Sequence, residues 1–221
     1  METYRTEEEQ VEAIKHWWKE NGTSTLLTIA IVVAGYFGWQ YYGQNQQASA
    51  EQASAIYQQL LEANDQLAQQ PDDAQLATAH HLASQLKEDY EGSTYAQFAA
   101  LINARLYVNS EDLVKAEAEL RWVLEHSSQQ STTDVTELRL ARVLDAQGKT
   151  DEAEQLIAKQ RDGAMQVGFE ELKGDILAAK GDPSGARTAY QQAKDLAAEN
   201  KVQASPLLAL KLQNLPAAKG E

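Results

Sequence analysis

Four histidines, 33 carboxylates and 19 lysines and arginines are the groups through which this 221-residue chain could do chemistry. Cysteine is absent, which removes thiolate nucleophiles, thiolate zinc sites and disulfides together, though not any choice of redox compartment. His80 and His81 are neighbours, so on a helix they point about 100° apart and cannot close on one ion as an i, i+4 pair does. A packing or surface role suits them better, and His16 and His126 stand alone. Gly148-Lys149-Thr150 has the ending of a phosphate-binding loop, but the glycine needed five residues earlier is Val143. Neither G-x-S-x-G nor G-x-G-x-x-G occurs. The carboxylates are scattered, as on a solvated face. The expectation is therefore no enzyme, no cofactor and no metal. What remains is recognition, and its candidate side chains depend on the elements that hold them.

Net charge is −14, which argues against nucleic acid, since a phosphate-backbone binder needs clustered Lys and Arg. The charge is unevenly placed. No Asp, Glu, Lys or Arg lies between Glu20 and Glu51, and Leu26 to Tyr42 is apolar with Gln40 near one end. With Thr23 to Thr25 this makes about 20 residues, which at 1.5 Å per residue crosses a hydrocarbon core of roughly 30 Å. Trp39, Tyr41 and Tyr42 gather at one end, as an aromatic belt would. A buried core helix would carry a polar stripe, and none is present. A cleaved signal peptide has support from Ala48-Ser49-Ala50, but six acids and three bases precede the run, which is no positive n-region. A retained single-pass anchor in the lipid bilayer is expected. Arg5, Lys15 and Lys19 precede it, whereas the next basic residue after it is Lys87. Basic residues stay cytoplasmic, so the N-terminus is expected in the cytoplasm and the C-terminal part in the periplasm. Val11, Ile14 and Trp18 share a face of a short helix over 7–20, ended by Asn21-Gly22. Trp17 and Trp18 suit the headgroup layer, or a docking site for another membrane protein.

Beyond a polar link at 43–50 the apolar period is helical, without strand signals. Helices are expected near 51–69, 73–89, 94–108, 112–126, 134–147, 151–160, 167–180, 184–199 and 206–214. Ala141, Gly148, Ala153 and Ile157 recur 33 residues later as Gly174, Gly181, Ala186 and Tyr190. Ala104, Tyr107, Ala116, Leu120 and Val123 keep the same internal spacing. This spacing resembles the tetratricopeptide repeat, in which small residues let paired helices approach and large apolar ones fill the gap. Units fall at about 97–130, 134–167 and 167–200. The first has Glu111 where the others have a turn glycine, and residues 51–89 form a helix pair of undetermined register. Leu207, Leu208, Leu210, Leu212 and Leu215 fit a terminal cap. The expected fold is all-α: one N-terminal transmembrane helix (23–42, after a cytoplasmic segment 1–22), then a tetratricopeptide-like α-solenoid over 51–221. A generic helical bundle is the alternative.

In tetratricopeptide-like units the groove is lined by the first helix of each pair. The matching residues are Phe98, Leu101, Arg105, Val108 and Asn109, then Val135, Leu138, Arg142, Asp145 and Ala146. The third unit contributes Gly168, Glu171, Asp175, Ala178 and Ala179. Arg105 and Arg142 occupy equivalent positions. They either hold a partner's carboxylates or carbonyls, or pair with local acids.

Several collinear stretches carry a wider resemblance: Glu9-Gln10-Val11-Glu12-Ala13-Ile14-Lys15, Trp17-Trp18, Glu20-Asn21-Gly22, Gly38-Trp39-Gln40-Tyr41 and Ala53-Ser54-Ala55-Ile56-Tyr57. Leu138 to Val143, Leu172-Lys173-Gly174-Asp175, Lys180-Gly181-Asp182 and Gly185-Ala186-Arg187 continue it. Together these resemble the ancillary subunit family of the bacterial SecYEG translocon. The resemblance implies an inner-membrane protein that associates with SecYEG and with a membrane-anchored periplasmic chaperone of the peptidyl-prolyl isomerase class. It would help pass secreted and outer-membrane polypeptides to periplasmic chaperones. It also implies a link to a cytoplasmic response regulator of stress, so a negative regulator acting through residues 1–20 is the alternative.

Overall fold

The computed structural model describes residues 7–159 and 163–216. Residues 1–6 with Arg5, Gln160 at the end of the expected 151–160 helix, and residues 217–221 lie outside the described residues. Two compact units divide the chain, Met1–Gln52 and Ala53–Glu221. Among the described residues the elements are α1 (Glu7–Gln69), α2 (Asp73–Asp89), α3 (Thr94–Asn109), α4 (Leu113–His126), α5 (Gln130–Ala146), α6 (Thr150–Ile157), α7 (Met165–Ala179), α8 (Pro183–Glu199) and α9 (Leu208–Asn214). The all-α expectation and the sequence of elements hold.

In the first unit, α1 contains a stretch long and apolar enough to cross a membrane. Its side chains face outward: Val32 is 65% exposed and Trp39 80%. Exposure of this kind costs free energy in water and is lost in a hydrocarbon solvent. Asn21-Gly22 does not end a helix, contrary to expectation. The Trp18 ring lies over Gly22, where an added Cβ would come within 3.3 Å of it, so the glycine makes room for the ring. The polar link at 43–50 is itself helical, because Gln, Ala and Ser carry no helix-breaking constraint.

The second unit is built from helix pairs. The end of α1 supplies Ala53, Leu60 and Ala63 to a core shared with Ala79, Leu82, Ala83 and Leu86 of α2 and Ala99 and Leu106 of α3. That settles the register of the first pair, which turns at Gln70-Pro71-Asp72. Then α3 packs on α4, α5 on α6 and α7 on α8, with α9 laid against α8. Helix starts follow local chemistry. Asp72, Ser93, Asp112 and Asp182 each cap a helix by accepting a backbone N–H, from Ala74, Ala96, Lys115 and Gly185. Helix α5 begins at Gln130, earlier than the expected 134. The polar run Ser131-Thr132-Thr133 reads as linker, yet Thr132 and Thr136 are buried and Thr136 Oγ1 donates to the Thr132 carbonyl at 2.7 Å.

The repeat spacing is realised as size matching. Ala104, Ala141 and Gly174 on first helices face Ala116, Ala153 and Ala186 on second helices, all buried. Leu120 and Ile157 fill the gap in two units, and the bulkier Tyr190 does so in the third. A Cβ on Gly174 would stand 2.3 Å from the Tyr190 ring, so the larger side chain is matched by the smaller partner. Gly148 (φ 77°) and Gly181 (φ 79°) make left-handed turns after their helices, and Glu111 (φ 61°) makes the same turn without a glycine.

Candidate partner-binding groove

The first helices of two neighbouring pairs, α3 and α5, do not close on one another. Between them lies a cavity of about 280 Å³ walled by Leu101, Ala104 and Val108 of α3, Leu113 and Leu120 of α4, and Val143 and Ala146 of α5. Arg105, Arg139 and Arg142 complete its lining. Arg139 and Arg142 share one face of α5 because they are three residues apart. Arg105 donates from Nη2 to Asn64 Oδ1 at 2.5 Å, a neutral acceptor. None of the three is ion-paired with a carboxylate among the described residues. Arg139 is held below the usual arginine value, first by lost solvent and then by the charges of Arg105 and Arg142.

The structure thus brings Leu101, Arg105 and Arg142 together, with Val108 and Ala146. Other sequence-derived groove residues lie elsewhere. Phe98 is 6.4 Å by ring centroid from Tyr57, which sits 5.4 Å from Tyr95. Asn109 is the exposed last residue of α3. Leu138 packs on Gly168, where a Cβ would lie 2.5 Å from Leu138 Cδ2, so the α5–α7 seam is filled where the α3–α5 seam is open. Asp175 accepts from the Tyr190 hydroxyl at 2.8 Å and from Lys211 Nζ at 2.8 Å, under α9. Lys211 also donates to Glu171 at 2.7 Å, and these two carboxylates keep its pKa raised although burial works the other way. Arg139 was not anticipated. Its i, i+3 relation to Arg142 is the signal that identifies it.

In the first unit Trp17, Trp18, Trp39, Tyr41 and Tyr42 are all exposed. Two of the four histidines are engaged in packing, whereas His16 and His81 are exposed. His80 Nδ1 lies 2.6 Å from Asn103 Oδ1 with its ring stacked on Tyr107, and His126 stacks on Trp122.

Along α4 and its neighbours charges are paired across helix pairs. Glu117 accepts from Lys149 at 2.7 Å and from Arg121 at 2.8 Å. Burial alone would raise the Glu117 carboxyl, but these donors and Gln147 outweigh it and hold it at about 2, against an ordinary 4.5. A depressed folded-state value stabilises the fold above the unfolded value and ceases to do so as pH falls through the folded one. Urea midpoints should therefore decline between about pH 4.5 and pH 2, and Glu117→Gln should flatten part of that slope. An unchanged slope in the variant would count against this pairing.

A family profile described as a tetratricopeptide repeat-like domain matches residues 15–217. The chain is 31% identical over 209 residues to a Haemophilus influenzae protein named ancillary SecYEG translocon subunit, covering 95% of this chain and 97% of that one. A protein of the same name from Aggregatibacter actinomycetemcomitans is 32% identical with the same coverage. Another from Escherichia coli is 32% identical over 191 residues, covering 86% of this chain and 88% of that one. No solved structure matches the chain significantly.

Proposed function

The chain belongs to the ancillary SecYEG translocon subunit family, with its tetratricopeptide repeat-like domain, and on that premise we propose that it is a non-enzymatic accessory subunit of the bacterial SecYEG translocon. The observation that carries this reading is 31% identity over an alignment that spans nearly the whole length of both chains. Residues 23–42 anchor the protein in the inner membrane. Residues 1–22 lie in the cytoplasm, and 51–221, after the link 43–50, lie in the periplasm. Three basic residues before the span and none until Lys87 support that orientation. The repeat domain engages a membrane-anchored periplasmic chaperone of the peptidyl-prolyl isomerase class. In this way emerging secreted and outer-membrane polypeptides pass from the channel to periplasmic chaperones. Recognition without covalent chemistry suits a solenoid, whose stacked first helices present one extended surface.

Affinity purification of the full chain from membranes in mild detergent tests this. SecYEG should co-purify with it, and removal of residues 51–221 should abolish recovery of the chaperone. Chaperone recovery undiminished by that deletion, or no SecYEG with the full chain, would refute the reading.

A further inference from the structure

Charged side chains described from residue 53 onward differ in the partners they meet. On the second helices and their turns, cations meet carboxylates of the neighbouring pair: Lys87 with Glu119 at 2.7 Å, Arg121 with Glu152 at 3.0 Å, and Lys180 with Glu154 at 2.7 Å. Around the α3–α5 cavity this stops. Arg105, Arg139 and Arg142 face one apolar hollow, and no carboxylate among the described residues lines it or pairs with them. In a chain of net charge −14, acids are abundant, yet none among the described residues lines this cavity. Three like charges kept together raise one another's energy, and an incoming anion relieves it. The hollow between them is apolar and near the lower edge of ligand-site volumes, about 300 Å³, which suits one or two side chains.

We propose that the α3–α5 cavity binds an acidic segment of a partner polypeptide, seating one apolar side chain between Leu101 and Val143 while Arg105, Arg139 and Arg142 hold the flanking carboxylates. The proposal deepens the translocon reading and rests on its idea of partner capture. Guanidinium forks match carboxylates in two-point geometry. A bare phosphate would leave the apolar floor unused. A nucleic acid would meet an acidic chain with only three clustered cations, too few for a phosphate backbone.

The test uses the full chain in nanodiscs and dansyl-labelled eight-residue peptides. One set has a central leucine flanked by aspartate and glutamate at varied positions. Two control sets replace the acids by asparagine and glutamine, or the leucine by serine. Members of the acidic leucine set should bind, and each control should bind roughly tenfold more weakly. Arg139→Ala and Arg142→Ala should each cost a similar factor, while melting temperatures stay level or rise, because a repulsion has been removed. Equal binding by the amide set, unchanged binding in the double variant, or displacement by millimolar inorganic phosphate as effective as by unlabelled acidic peptide would overturn the proposal. SecYEG co-purification of the double variant is read in parallel. Lost peptide binding with SecYEG retained supports the groove assignment. Absence of SecYEG from the unmodified chain overturns the translocon reading and leaves the peptide result to judge the groove separately.

Discussion

Phe169→Ala is expected to lower the stability of the repeat unit by about 3–5 kcal/mol. Phe169 on α7 is fully enclosed and is the largest side chain to be so among the described residues. It belongs to a core with Leu140, Ala141 and Leu144 of α5 and Leu172 and Ile176 of its own helix, so it joins the α5–α6 pair to the α7–α8 pair. Truncation removes transfer free energy and leaves a hole that flanking helices cannot fill without sliding. Domains of this size have net stabilities of about 5–15 kcal/mol, so one change can consume a large part. In a solenoid the loss falls on the interface between neighbours. Urea unfolding of the detergent-solubilised chain, followed by far-ultraviolet circular dichroism, should show the midpoint fall sharply. Phe169→Leu, which keeps most of the volume, should cost under about 1.5 kcal/mol. Equal effects of the two variants would mean that the cavity term is not what matters there.

Val32→Arg is expected to strip the protein from the membrane. Val32 lies near the middle of the apolar stretch of α1, 65% exposed, and no second span is present among the described residues to shelter a charge. An arginine at the centre of an inserting helix costs about 2.5–3.5 kcal/mol on insertion scales, enough to offset several leucine or valine contributions of about 0.3–0.6 kcal/mol each. Carbonate extraction of membranes should move most of the variant into the soluble or degraded fraction. Trp39→Leu, at the aromatic end, should remain membrane-bound because apolar area is largely kept. If Val32→Arg stays in the pellet as firmly as the parent chain, α1 does not span the bilayer.

The helical period and the turn residues made the elements of the repeat unit legible, because both are local. Gly148 and Gly181 marked two turns directly. Glu111 looked like a departure from the pattern, yet its backbone takes the same left-handed conformation at φ 61°. Packing of α3 on α4 imposes that turn, and a non-glycine residue tolerates it at a cost of roughly 1–2 kcal/mol. The groove was half legible. Repeat positions located Leu101, Arg105 and Arg142, since one spacing places them on the same side of consecutive first helices. Position alone could not reveal which seams are filled. Leu138 meets Gly168 across one seam, whereas Ala104 and Ala146 leave the other open, and that difference is a matter of side-chain volume between distant residues. Asp175 occupies a groove position by count but is engaged by Lys211, a partner brought in by α9 and invisible to any short window. In the first unit the dipeptide Asn21-Gly22 misled because glycine also serves a neighbouring ring. Trp18 needs the space that any Cβ would take.

Long-range ion pairs among the described residues of the repeat unit run in both orders along the chain. Glu117 comes before Lys149, Glu137 before Lys159, Glu154 before Lys180 and Glu171 before Lys211, whereas Lys87 comes before Glu119 and Arg121 before Glu152. Polypeptides are made from the N-terminus, so at four of these joints the acid emerges ahead of its cation and at two the cation emerges first. A half-made chain therefore carries hydrated, unmatched charges that resist burial until the following segment arrives. At the four acid-first joints closure waits until the cation is present, and in the interval those acids keep the unfinished segment repelling its copies rather than joining them.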